Sequence, residues 1–507
     1  MTVTDRYVHA MFPKQEKKMR LLQARVTGFQ SFEDSDDVCF GSGANLIVGP
    51  NNVGKSAFLR ALQPTLSDDR HRTPIEWRDE ALPSPSIKLR IEVSGSEIKR
   101  AVSRNAPCII PAPAGVPGSP VGYVQQLLDG PPFFINLEHR PGREFAAPYP
   151  SHGLFKWLGY GQAVAAKLVT NNGNIEISAH NNSEDTLPAT IHNLWRSKMF
   201  CFSAERYSIG QTSTAHIERL DQNASNLAAV LATLSGDRGD LFDKLVSHLR
   251  ELFPTVGNIS TRIQPGNPGV TEIRVWPTIE RQNVGLSFPL TQSGTGVAQT
   301  LALLVAIMTV EDTVIVVDEI NSFLHPAAVK ALLRILQTEY AQHQYIISTH
   351  APEVVGFSNP STVHLVKRNG YKSTISRLDP AEVSTFREVA SHLGVSMADV
   401  FAADRVIWVE GETEETLFPY LYRETVGPVP RGTIFTTVAA TGDFGAKRRD
   451  KKIVYEAYSR LSSAVATLPV KVIFGFDTEM LADLEKADMV RESRGRLRFL
   501  PRRHLVD

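Results

Sequence analysis

Three cysteines in 507 residues, Cys39, Cys108 and Cys201, are too few and too widely spaced for a disulfide framework or a zinc module. That scarcity makes a reducing cytoplasm the expected location. Charge of one sign is missing as well: 54 Lys plus Arg stand against 54 Asp plus Glu, so no global excess advertises a polyanionic partner. Any nucleic-acid surface must be local. Long apolar runs are absent too; the best candidate, residues 301–310, stops at Glu311-Asp312, short of the roughly 18 residues a bilayer span requires. Residues 1–20 carry charges and no apolar stretch of signal-peptide length, which argues for a soluble protein with no membrane partner. What is present, 42% hydrophobic and 21% charged residues, excludes a disordered, collagen-like or low-complexity chain. At about 100–200 residues per domain the length suggests three or four compact units.

A charged leader with Lys14, Lys17 and Lys18 reads as a dispensable arm, 1–19, with Met11 and Met19 as alternative starts. A first strand is expected at 20–29 and a second at 44–48, the latter running into a glycine turn and a helix at 55–62. Residues 107–150 hold ten prolines, too many for regular sheet or helix, so this segment reads as a long surface loop, an insertion. Leu220, Leu227, Leu231, Leu234, Leu241, Leu245, Leu249 and Leu252 recur at helical spacing, which predicts two amphipathic helices within 213–253, split at 236–239. Strands are expected at 272–277 and 284–288. Beyond Gln292 the pattern alternates: helix 297–308, strand 313–317, helix 326–340, strand 344–348, as parallel βαβ units do. From Asp404 onward, VIWVEG, TIFTTVAATG, KVIFGFD and RLRFLP are four strand candidates of a second α/β domain.

Gly49-Pro50-Asn51-Asn52-Val53-Gly54-Lys55-Ser56 fits the phosphate-loop pattern G-x-x-x-x-G-K-[ST], directly after a strand and opening a helix. Gly49, Asn51, Asn52 and Gly54 belong to a loop whose amides wrap an anion, Lys55 bonds β and γ phosphates, and Ser56 ligates Mg2+. The strand at 313–317 delivers Asp318-Glu319: Asp318 to hold the magnesium through water, Glu319 to polarise the attacking water. Gln292-Ser293-Gly294-Thr295-Gly296 heads a helix, so Ser293, Gly294 and Gly296 can bind a second phosphate; a plain glycine turn with an N-cap is the alternative. Ser348-Thr349-His350 ends the strand one βα unit later, where the His350 imidazole could reach a γ-phosphate.

The ordered series Lys55, Ser293, Asp318-Glu319, His350 resembles the ABC-type ATPase heads of the SMC, Rad and RecF group. The resemblance implies ATP and Mg2+ as ligands and a homodimer through the heads, or a higher homo-oligomer, in which the signature serine acts on the nucleotide of the other copy. The segment Arg25-Val26-Thr27-Gly28-Phe29-Gln30-Ser31-Phe32 stands where the adenine-side segment does in those heads, with core packing of Phe29 and Phe32 as the alternative to base stacking. Gln125 and Gln126 are Q-loop candidates by residue type alone. Phe202-Ser203-Ala204-Glu205-Arg206 and Asn321-Ser322-Phe323-Leu324-His325-Pro326 are similar to the "AER" and "LHP" segments of the OLD family (overcoming lysogenization defect), single-chain ABC ATPases with a C-terminal Toprim domain. Glu319-Ile320 departs from that family's Glu-Pro. The helical block occupies the place of the family's dimerisation insertion.

In the second α/β domain one strand delivers Glu410 into a glycine turn and another delivers Asp477 and Glu479, which at i and i+2 of an extended segment point the same way. Converging carboxylates repel unless a divalent cation neutralises them, so Mg2+ or Mn2+ is expected there. The pattern resembles a Toprim domain, which implies Glu410 as general acid/base or metal ligand and Asp477 with Glu479 as metal ligands; Glu479 stands where a second Asp is usual. OLD-type Toprim domains continue past the segment resembling Leu500-Pro501-Arg502-Arg503, whereas this sequence stops at Asp507. Residues 443–507 hold 14 Lys or Arg against 10 Asp or Glu, a local excess of four that favours DNA contact over a merely solvated face.

The expected architecture is therefore an α/β, ABC-type (SMC/RecF-like) P-loop ATPase: N-terminal lobe 20–208, helical dimerisation insertion 209–260, C-terminal lobe 261–395, then a Toprim domain, 404–507. The function this implies is an ATPase controlling a metal-dependent Toprim endonuclease in bacterial or phage defence. The competing reading is an ATP-dependent sensor or scaffold whose degenerate Toprim domain recruits a partner effector protein or nucleic acid without cutting it; a RecF-type repair clamp is disfavoured by the second α/β domain.

Overall fold

The computed structural model describes residues 19–74, 82–104, 106–112, 118–146, 165–171, 174–181, 184–203, 210–221, 223–322, 324–378, 405–409, 412–427, 429, 433–437, 471–476, 483–493 and 497–499. Its centre is a six-stranded sheet in the order Met199–Phe202, Val314–Val317, Gln344–Thr349, Ala44–Val48, Thr362–Asn369, Lys372–Leu378. The first five strands run parallel and the last closes an antiparallel hairpin. Parallel strands covered on both faces are apolar throughout, and these are: Leu46, Ile47, Val48, Ile315, Val316, Ile346 and Ile347 are all at most 2% exposed. Side chains alternate across the pleat, so Leu46, Val48, Ile315, Val317 and Ile347 enter one core while Ile47, Val314, Val316 and Ile346 enter the other.

The first core is filled by the helices Leu227–Asp237, Gly239–Leu252, Thr295–Thr309 and Pro326–Thr338. The two leucine-rich helices read from the sequence are thus packed into the same core as the helix behind Ser293. The second core holds the helix Lys55–Ala61 and an antiparallel sheet built on Arg20–Phe29, Ser86–Val93 and Phe133–Arg140. Full burial of each such aliphatic stabilises the fold by roughly 1.5–3 kcal/mol.

Two buried amides brace the central sheet, Gln344 against the strand Arg20–Phe29 and Asn45 against its neighbouring strands. Gln344 accepts from Leu21 N–H at 2.8 Å and donates to the carbonyls of Leu21 and Gly41 at 2.8 and 2.7 Å. Asn45 donates to Gly43 and Tyr345 carbonyls at 2.9 and 3.0 Å while accepting from Gly41 N–H and Thr362 Oγ1. Both residues sit at the start of strands that end in the candidate site, so those strands are held in register.

The proline-rich segment corrects an expectation. It contains the strand Cys108–Pro111, the helix Pro120–Asp129 and the strands Phe133–Arg140 and Arg143–Ala146, the third of them a central strand paired with Ser86–Val93. Its described prolines lie at element ends, where no ladder or helix bond is lost: Pro111 closes a strand, Pro120 opens a helix capped by Ser119, and Pro131, Pro132 and Pro141 flank the Phe133–Arg140 strand. The region 258–289 also differs, for it forms the hairpin Asn258–Gln264 and Asn267–Trp276, with Val284–Leu286 a 3₁₀ turn rather than a strand.

All four expected C-terminal strands are found, as Arg405–Val409, Thr433–Thr437, Lys471–Phe476 and Leu497–Phe499 in one wholly parallel sheet. Its order is second, first, third, fourth. The three cysteines are free, and burial pushes the Cys108 thiol up to about 11, outside nucleophilic use at neutral pH. Among the described residues no helix is long and apolar enough to cross a membrane.

Candidate functional site

Parallel neighbours deliver their C-terminal ends to one edge of a sheet. Val48 lies opposite Thr349 and Val317 opposite Ile347, so the phosphate loop, Asp318-Glu319 and His350 all emerge together. The loop turns through the left-handed region at Asn52 (φ 64°) and Gly54 (φ 111°). At Gly54 only glycine fits, because a Cβ there would stand 2.6 Å from Ser31 Oγ and 2.7 Å from Ser373 Oγ. Gly54→Ala is accordingly expected to weaken MgATP binding at least about tenfold, since a displaced loop amide forfeits a charge-assisted bond of about 1.5–3 kcal/mol. The check is the upward shift of the melting temperature by MgATP, which should shrink or vanish in the variant.

The hairpin Thr362–Asn369 and Lys372–Leu378 flanks the loop. Arg368 Nη1 donates to Asn52 O at 3.0 Å, Ser373 Oγ donates to Val53 O at 2.6 Å, and Ser373 N–H bonds Ser31 O at 2.7 Å. Arg368 and Ser373 are 316 and 320 residues from the groups they hold, so no local pattern could have announced them.

Lys55 is 4% exposed, and its ammonium donates to the Gly49 and Pro50 carbonyls at 2.9 Å each. The same Nζ stands 3.2 Å from Glu319 Oε1, whose second oxygen, Oε2, is 2.5 Å from His350 Nδ1. Three site residues of the sequence reading are thereby in one chain of contacts: ammonium, carboxylate, imidazole. A carboxylate accepts, so the His350 hydrogen is on Nδ1, and the side chain is 41% exposed. Glu319 itself has φ 55°, a sparsely populated backbone for a non-glycine residue and one that often marks functional positions.

Asp318 is fixed separately. Its N–H bonds Phe202 O at 2.8 Å, and its Oδ1 accepts from Ser348 Oγ at 2.5 Å. Ser56 occupies the second position of the Lys55–Ala61 helix and is half-buried. Beside the two carboxylates is a cavity of about 30 Å³, roomy enough for a water, whose wall is part polar, with Ser203, Gln299, Asp318 and Glu319, and part apolar, with Leu303 and Leu332.

Asn51 is exposed on the loop, and Gly49 precedes it with φ 153°. Ser293 turns its hydroxyl back onto Leu290 O at 2.6 Å, capping its own turn rather than the helix Thr295–Thr309, with Gly294 exposed and Gly296 buried. Phe29 and Phe32 are 0% exposed, Phe32 lying edge-on to Phe58 at 5.9 Å, so the base-stacking alternative falls and core packing stands. Gln125 and Gln126 lie exposed on the helix Pro120–Asp129. Glu410, Asp477 and Glu479 lie outside the described residues, as do Glu205 and Arg206. The strands that lead to Glu410 and Asp477 are described and adjacent, with Val409 opposite Gly475.

Against known proteins, the family described as "AAA domain, putative AbiEii toxin, Type IV TA system" matches residues 232–356, and the family described as "AAA domain" matches residues 24–108. The two matches bracket Lys55 on one side and Ser293, Asp318-Glu319 and His350 on the other. They identify an AAA-type P-loop ATPase domain in this chain. A curated protein, Structural maintenance of chromosomes protein 3 of Caenorhabditis elegans, is 42% identical over 52 residues, 10% of this chain. The match spans 4% of that relative's length. Among solved structures, the SMC head domain from Thermotoga maritima is 15% identical with TM-score 0.35, covering 71% of this chain and 99% of that one. The Smc head domain of Pyrococcus furiosus bound to the C-terminal domain of ScpA is 11% identical with TM-score 0.41, covering 73% and 99%.

Proposed function

We propose that this chain hydrolyses ATP as an ABC-type ATPase that works as a head-to-head dimer, and that its C-terminal α/β block is a Toprim-like, metal-dependent nuclease governed by the nucleotide state. The observation that carries the ATPase part is the contact chain from Lys55 through Glu319 to His350 at the mouth of the phosphate loop. Phosphoryl transfer to water calls for a cation on the phosphates and a group that orients the attacking water, and this chain of contacts places a candidate for each on one edge of the sheet.

Within this reading the loop amides and Lys55 hold the β and γ phosphates. The donors offered to a cation are oxygens, the Ser56 hydroxyl and the Asp318 carboxylate, and among the described residues no cluster of three His, Cys, Asp or Glu could hold a metal alone. Such a sparse, hard donor set fits Mg2+ brought in with the phosphates. When bound it neutralises phosphate charge as the leaving oxygen departs. A γ-phosphate competes with Glu319 Oε1 for the Lys55 ammonium, so substrate entry removes one of the two partners that hold the carboxylate's charge. Released from that contact, Oε1 accepts the proton of the water whose oxygen bonds to the γ-phosphorus as the bond to the β-phosphate oxygen breaks, while His350 keeps the carboxylate oriented through Oε2. To act on a second copy's nucleotide, Ser293 exchanges its hydroxyl bond to Leu290 O for one to a phosphate.

Support for the nuclease part is the pair of adjacent parallel strands that run into Glu410 and Asp477, together with the arginines of 491–503. DNA is the substrate this charge suits, and defence against foreign DNA is the setting that the resemblance to the OLD family implies. Plasmid nicking in Mg2+ or Mn2+ tests it: wild type should nick and Glu410→Ala should not, and equal nicking by both would remove the nuclease from the account.

A further inference from the structure

The ladder between Val314–Val317 and Gln344–Thr349 ends at the pair Val317 and Ile347. One residue further on, Asp318 and Ser348 face each other with no backbone ladder between them, because the chain bends out of the sheet into the left-handed Glu319. Ser348 fills that gap with its side chain. Its hydroxyl donates to Asp318 Oδ1 at 2.5 Å and accepts from Glu319 N–H at 2.8 Å, and the residue is 0% exposed. A serine hydroxyl has one hydrogen to give, and here that hydrogen goes to a carboxylate while a lone pair takes the neighbouring amide. The next residue continues the pattern, as Thr349 Oγ1 donates to Asn321 Oδ1 at 2.8 Å and accepts from Ala351 N–H.

We infer that Ser348 is a positioning residue for the hydrolysis step: it fixes the Asp318 side chain and the Glu319 backbone with one hydroxyl, and so sets the distance between the metal-holding carboxylate and the water-activating one. This deepens the ATPase reading of the site and rests on it. Ser348 touches neither phosphates nor the loop, so its loss leaves Lys55 and the amide cradle intact. Residues that orient metal-holding or catalytic groups from behind cost about 10- to 100-fold when removed.

The experiment compares wild type, Ser348→Ala, Ser348→Thr and Lys55→Ala by thermal melting, by binding of a fluorescent ATP analogue and by phosphate release at varied Mg2+. Ser348→Ala should bind the analogue like wild type, release phosphate about 10- to 100-fold more slowly and need more Mg2+ for half-maximal rate. Ser348→Thr, which keeps the hydroxyl, should recover most of the rate. A wild-type rate in Ser348→Ala overturns the inference; so does a Ser348→Thr rate no better than that of Ser348→Ala. Should Ser348→Ala fail to fold, Ser348→Thr decides by itself: a rate close to wild type supports the role, and one as low as Lys55→Ala defeats it. Failure of the ATPase reading looks different, since wild type and Lys55→Ala would then be equally inactive.

Discussion

Lys55→Ala is expected to lose nucleotide binding beyond detection while remaining folded. The ammonium is nearly buried and stands among the Gly49 and Pro50 carbonyls and Glu319 Oε1, the position from which it can transfer to a phosphate without moving the chain. A charge-assisted bond to an ionised partner contributes about 1.5–3 kcal/mol, and two phosphates share this donor, so the loss is at least roughly 100-fold in affinity. Stability should suffer far less. The Glu319 carboxylate keeps His350 as a partner, and the loop keeps Arg368 and Ser373. Titration calorimetry with MgATP, read beside the melting curve, separates the two effects; wild-type affinity in a folded Lys55→Ala protein would refute the loop's assignment.

Glu319→Gln is the complementary change, with ATP retained and turnover lost. The amide keeps the size and one acceptor oxygen but neither the charge that holds Lys55 at 3.2 Å nor the basicity to take a proton from water. Removing a general base costs about 100- to 10,000-fold. Because the variant also stops competing for the Lys55 ammonium, its ATP affinity should equal or exceed that of wild type. Gel filtration after mixing with labelled ATP should recover the nucleotide on the protein, in a species of twice the monomer mass if the heads close on each other. Undiminished phosphate release from this variant would assign the base to another residue.

Much of this site was legible because its parts are local. A five-residue strand, a glycine turn and a helix make the phosphate loop recognisable in one stretch, and Val314–Val317 running into Asp318-Glu319 is equally self-contained. What joins those parts is not local. Neither the Lys55 contact with Glu319 nor the Arg368 and Ser373 brace leaves a trace in the sequence, since each depends on which strands become neighbours. Ser348 was visible only as a polar residue ending an apolar strand, its role unspecified. The prolines misled because their number was read instead of their positions; at strand and helix ends they cost nothing. In the C-terminal block short apolar runs revealed all four strands, yet their order in the sheet is a matter of long-range pairing that no run of residues encodes. Phe29 and Phe32 carry the same lesson, as a motif's aromatic residues can serve the core as readily as a ligand.

The central claim, that this edge of the parallel sheet hydrolyses ATP, is tested most directly by phosphate release from MgATP by the purified chain, with Lys55→Ala and Glu319→Gln measured beside it. Wild type should show saturable, Mg2+-dependent release, and neither variant any above background. No release from folded wild-type protein, or equal release from all three, would contradict it.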